Sequence, residues 1–281
     1  MTRIMFWDPG HGGAAHLAVG CAVTLALHHT ERMLLFNVGR ASYGVEEGLR
    51  TEMRDTDGLG QALHFSEHGL DALLRVSESG RLTKANFSDY TLPLVGGRLD
   101  LACGCRSESL DATGTTIRDT KINDLLMVAD QSYDLLMLHI HDKRPIVDTF
   151  AAQNCDVTLV VLEQKRVQLD AFFSELSQMP EPERRKLNIA IYPYDPQSSW
   201  SLANIKRRYS VSLSLFSIPY NTEFADAWNS REALSFFRKY KLVLSKGGAR
   251  EALLGSYRKL SQCLLDRASN ISIHSTSGKG A

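Results

Sequence analysis

The sequence predicts an α/β protein: a doubly wound, mostly parallel seven-stranded sheet with helices on both faces. Short apolar runs alternate with stretches of helical periodicity, which is how parallel βαβ units read. Several runs are continuous Leu, Ile, Val and Met, as expected of strands covered by helices on both sides. A length of 281 residues, 43% apolar and 23% charged, suits one large globular α/β domain.

The elements follow in order. The predicted strands are Arg3–Trp7, Met33–Asn37, Leu99–Gly104, Leu135–His139, Val157–Leu162, Leu187–Tyr192 and Leu213–Ile218. Between them, Ala14–His28 is rich in Ala, Val and Leu and predicts a nearly buried helix. Gly60–Val76 carries Leu63, Leu70, Leu73 and Leu74 as an apolar stripe. Asp119–Asp130 precedes the fourth strand. Arg166–Met179 sets Leu169, Phe172, Phe173 and Leu176 on one face. Ser199–Tyr209 and Glu223–Trp228 are shorter helices, and Ala249–Arg267 has Leu253, Tyr257, Leu260 and Leu264 at helical spacing. Residues 1–268 read as one domain. Residues 269–281, rich in Ser and Gly, read as a flexible tail.

Composition limits the functional classes. Lys+Arg and Asp+Glu are both 32, so no charge excess points to nucleic acid. The clusters Lys143-Arg144 and Lys206-Arg207-Arg208 read as solvated faces. No apolar run reaches the roughly 20 residues of a membrane helix. Asp8 and Pro9 stand where the apolar core of a signal peptide would be. Five cysteines match no disulfide framework, and Cys103-Gly104-Cys105 is half a metal site at best. A reduced, cytoplasmic setting is expected.

The first strand runs into Asp8-Pro9-Gly10-His11-Gly12-Gly13-Ala14-Ala15-His16-Leu17, and a helix follows. A strand, a Gly-rich turn and a helix N-terminus make a phosphate cradle. Later landmarks come in a set order. They are Asn37-Val38-Gly39 after the second strand, Tyr133-Asp134 through His139, Cys155-Asp156 before Val157, and Ile218-Pro219-Tyr220-Asn221.

In this order the chain resembles the ParA/MinD group of deviant P-loop ATPases, which includes the TadZ and CpaE pilus-localisation proteins. The resemblance covers roughly residues 1–240. It implies a P-loop NTPase-like fold and a nucleotide site built from the first loop, the second strand and the fourth strand. The family motif KGGxGKTT keeps two glycines here, Gly12 and Gly13. Both lysines are replaced by His11 and His16, the third glycine is Ala15, and the Mg²⁺-binding Thr is Leu17. The acidic pair after the second strand is Asn37 and Gly39, and the Asp closing the fourth strand is His139.

Phosphoryl transfer needs a cation for the phosphates, an oxygen ligand for Mg²⁺ and a group to place water. All are replaced together, so the resemblance implies a pseudo-ATPase with no catalytic residue. Loop amides still leave room for weak ATP or ADP binding. The expected role is a scaffold or localisation factor for a pilus, secretion or polar machine. It would act as a homodimer or as a heterodimer with an active relative, reaching the inner face of a membrane or a cell pole only through partners. Two alternatives stay open: a nucleotide-binding switch without hydrolysis, and a metal-dependent enzyme using the crevice histidines His11, His16, His139 and His141.

Overall fold

The computed structural model describes residues 2–9, 13–41, 44–49, 68–105, 115–141, 154–241 and 248–277. Among these, the strands are β1 (Thr2–Asp8), β2 (Met33–Asn37), β3 (Leu92–Val95), β4 (Leu99–Ala102), β5 (Leu135–His141), β6 (Val157–Leu162), β7 (Leu187–Tyr194) and β8 (Leu215–Pro219). They form one sheet in the order β3-β4-β2-β5-β1-β6-β7-β8. Every neighbouring pair is parallel except β3 with β4.

The sheet therefore has eight described strands, where the sequence pattern predicts seven. The added strand is β3, and Pro93 in its middle hides it. Proline cannot donate to a ladder, so such a strand is confined to an edge. There β3 turns back onto β4 through Gly96 and Gly97, the latter at φ +69°.

The helices are α1 (Gly13–His28), α2 (Leu70–Glu78), α3 (Thr115–Ala129), α4 (Arg166–Gln178), α5 (Glu181–Arg185), α6 (Leu202–Tyr209), α7 (Thr222–Asn229), α8 (Ala233–Tyr240) and α9 (Ala249–Ser277). Residues 60–67 of the predicted second helix lie outside the described residues. α2 starts at Leu70, after Gly69 at φ +85°. The long last helix runs to Ser277, past the predicted tail boundary at 269. No Gly or Pro interrupts the chain there until Gly278, so nothing stops propagation earlier. No described helix is long and apolar enough to cross a membrane.

Two cores cover the sheet. On one face, α1, α7, α8 and α9 pack over Ile4, Phe6, Met33, Leu35, Leu135 and Met137. On the other, α2, α3, α4 and Ile205 of α6 pack over Met5, Trp7, Leu34, Phe36, Leu136 and Leu138. α1 is buried nearly all round, as its composition requires. Gly20 lets α9 approach it: a Cβ there would lie 2.1 Å from Cε1 of Tyr257. Local caps set two further starts. Ser201 accepts from the Asn204 amide at 3.3 Å, and Asn221 accepts from the Phe224 amide at 2.9 Å.

Candidate functional site

Strand alternation decides which side chains meet. Along β1 the residues facing α1 are Ile4, Phe6 and then Asp8; along β2 they are Met33, Leu35 and Asn37. Along β5 they are Leu135, Met137, His139 and His141. Register pairs Asn37 with His139 and Asp8 with His141. The polar members of these series all fall at the carboxyl ends of the three strands, on the face that carries the α1 N-terminus. Open α/β sheets bind ligands at this edge.

Asp8 is 1% exposed, and its carboxylate accepts the Ala14 amide of the first turn of α1 at 2.8 Å. A helix start leaves such amides without intrahelical partners and carries partial positive charge. Here one of them meets a carboxylate of the chain itself. Gly13 is the first helical residue, and a Cβ on it would come 3.0 Å from Val161 Cγ1. His11 and Gly12 lie outside the described residues.

His16 packs its ring 4.0 Å from that of Trp228, with Tyr192 at 5.5 Å and Phe224 at 6.0 Å. Its carbonyl accepts from the buried Tyr257 hydroxyl at 3.2 Å. Leu17, which takes the place of the hydroxyl residue in the resembled motif, is fully buried in the α1-side core.

Asn37 is fully buried and held on all sides. Its Nδ2 donates to Glu46 Oε2 at 2.8 Å and to the Arg40 carbonyl at 3.1 Å. Its Oδ1 accepts from the Gly39 amide at 3.0 Å and lies 3.3 Å from His139 Nδ1. Glu46 also accepts a very short hydrogen bond from the Gly104 amide. His139 is completely buried, and burial pushes its pKa down to about 4. The nearby Asp8 opposes that shift; His141 and His16 add to it. His139 is therefore a neutral imidazole at neutral pH. Among the described residues its Nε2 has no hydrogen-bond partner.

The structure thus brings Asn37, Gly39, His139, His141, Gly13 and His16 to one edge, with Leu17 turned into the core. Among the described residues, no group of three or more His, Cys, Asp or Glu is arranged to hold a metal. Sequence reading missed Asp8, Glu46 and Trp228. Asp8 had a usable signal: it continues the inward series Ile4, Phe6 at a strand end. Glu46 and Trp228 sit in no motif.

Between β1, β6 and β7 lies a small cavity of about 190 Å³, lined by Asp8, Gly13, His16, Glu163 and Tyr192. The two crossovers next to β1 and β6 leave on opposite faces, α1 on one and α4 on the other, which makes this the switch point of the sheet.

The strand order, with helices on both faces of the sheet, gives an α/β fold shared with solved ParA/MinD ATPases. A ParA family ATPase from Chlorobium tepidum TLS matches 93% of this chain over 98% of its own, at TM-score 0.69 and 13% identity. The MinC:MinD cell division complex of Aquifex aeolicus contains a chain matching 93% of this one over 96% of its own, at TM-score 0.64 and 14% identity. A plasmid partition protein from Borrelia burgdorferi B31, bound to AMPPNP, matches 95% over 98% at TM-score 0.63 and 11% identity. At these identities the likeness is one of fold. No protein-family model and no curated protein matches the sequence.

Proposed function

We propose that this chain keeps the ParA/MinD architecture as a protein scaffold and has given up ATP turnover. The observation that carries the reading is the Asp8 carboxylate on the Ala14 amide, at 2.8 Å. A buried carboxylate at the helix start uses one of the amides that would cradle phosphate and opposes an incoming polyanion. The neighbouring positions support it. The Leu17 side chain offers no oxygen to Mg²⁺ and is buried. The His16 ring is engaged with Trp228. Asn37 is spent on Glu46 and Gly39, and neutral His139 brings no charge. The residues present do not fit a Mg²⁺-nucleotide.

On this reading the protein works by docking other proteins, as a homodimer or with an active relative, within a pilus, secretion or polar assembly. A MinD of the same fold from Aquifex aeolicus occurs in a complex with MinC, which supports a role in binding other proteins. A second reading, a nucleotide switch without hydrolysis, draws on the 190 Å³ cavity beside the α1 N-terminus. Phosphate release from ATP and Mg²⁺ tests the first claim. The expected rate equals that of buffer alone, and turnover that disappears in Asp8→Ala would overturn the proposal.

A further inference from the structure

The sheet has two edges, and they are finished differently. At one stands β3, where Pro93 interrupts the donors and the pairing with β4 shifts between Pro93 and Val95. A proline and an irregular register are common ways to blunt an edge. At the other stands β8, and among the described residues no strand lies beyond it. No proline or charged side chain stands in β8 before Pro219 closes it. The whole stretch from Tyr209 to Thr222 carries no charged residue. Leu215, Phe216 and Ser217 are half-buried, so this edge reaches the surface. An uncharged, open strand is a template for further pairing.

Register shows which backbone groups are left for that pairing. Ile189 of β7 lies opposite Leu215, and its amide donates to the Ser214 carbonyl at 2.9 Å. Ile191 lies opposite Ser217 in the same ladder. Parallel bonds straddle the residue opposite. The amide and carbonyl of Phe216 therefore turn toward β7, and those of Leu215 and Ser217 turn away from it.

This outward row is its own complement. Turned about a two-fold axis at Phe216, a second β8 lies antiparallel to the first. Leu215 of each copy then stands opposite Ser217 of the other, and each such pair exchanges both N–H···O bonds. Phe216 meets its own copy on the axis at the closer, non-hydrogen-bonded spacing, where aromatic pairs strengthen a sheet. A two-fold contact of this kind closes on itself. The head-to-tail alternative, β8 of one chain on β3 of the next, meets Pro93.

We propose that a second copy of this chain pairs here: two β8 strands join antiparallel about Phe216 and continue one sheet across both chains, without nucleotide. This deepens the scaffold reading, on which its role rests, by naming one partner and one surface. Molar mass and hydrogen exchange read the pairing, and phosphate release reads turnover, so the two claims fail separately.

The test is sedimentation of the full chain without nucleotide, together with amide hydrogen exchange over a concentration series. Wild type is expected to be a dimer. The amides of Leu215 and Ser217 should slow at least about tenfold as the dimer forms, while the Phe216 amide stays protected throughout. Ser217→Pro removes an outward donor that β7 does not use, and should weaken association about 30-fold through the bonds lost on both sides of the axis. Ser217→Lys places a charge on the edge and should weaken it at least about tenfold. A wild type that stays monomeric at about 100 µM overturns the proposal and leaves the edge to another protein. A dimer untouched by both variants overturns it too, as does one in which Leu215 and Ser217 exchange as fast as in dilute protein. Urea unfolding of each variant separates lost association from lost fold.

Discussion

The Asp8 carboxylate and the Ala14 amide are joined by a 2.8 Å hydrogen bond inside the protein, at the start of α1. One contact thus serves both the fold and the reading of its site. It ties the end of β1 to the beginning of α1, and it sets a negative charge where a phosphate would arrive.

Asp8→Asn separates those two effects. Asn keeps an oxygen acceptor for Ala14 but removes the charge. Affinity for inorganic phosphate or ATP should rise relative to wild type, measured by calorimetry. Asp8→Ala should cost about 1 kcal/mol of stability, the usual scale for a lost helix-start acceptor, measured by urea unfolding.

Glu46 is expected to matter more than its loop position suggests. Its carboxylate takes both Asn37 Nδ2 and the Gly104 amide. Glu46→Ala leaves the buried Asn37 amide short of an acceptor. The expected loss is about 2 kcal/mol, on the scale of hydrogen bonds to charged groups, read from the shift of the urea midpoint at unchanged slope.

His139 makes stability depend on pH. Its folded pKa is depressed to about 4, against an unfolded value near 6.5. Between these values the unfolded chain binds the proton and the folded one does not. Stability is therefore full above about pH 6.5 and falls as pH drops toward 4, by at most about 3 kcal/mol from this group. His139→Gln should flatten that part of the pH profile, measured by thermal unfolding from pH 4 to 8.

The contact between α1 and α9 is tight enough to reverse a normally favourable change. Gly to Ala inside a helix gains up to about 1 kcal/mol. At Gly20 the new methyl would lie 2.1 Å from the ring of Tyr257, whose hydroxyl is held by the His16 carbonyl. Gly20→Ala should therefore destabilise by about 1–2 kcal/mol, as overpacking of a core does.

The legibility of this chain follows its physics. Runs such as Leu135–Leu138 and Val157–Leu162 are apolar on both faces, and only a strand between two helical layers satisfies them. β3 was hidden because Pro93 argues against a strand and only an edge position reconciles the two. α8 was missed although Phe236, Phe237 and Tyr240 are spaced for one helical face, because it follows α7 after only a short turn. At the site, the order of landmarks pointed to Asn37, which closes β2, and to His139, the first polar residue after the apolar run of β5. Glu46 could not be read: its importance comes from the folded meeting of three separate segments at Asn37, Glu46 and Gly104. The engagement of His16 with Trp228 joins residues more than two hundred positions apart in the same way.

The central claim is that the α1 start no longer serves Mg²⁺-ATP, and titration calorimetry of the purified chain with ATP, with and without Mg²⁺, measures it directly. The expected result is at most weak heat that Mg²⁺ does not enhance and that grows in Asp8→Asn. Tight binding of ATP that requires Mg²⁺ and is lost in Asp8→Asn would contradict it.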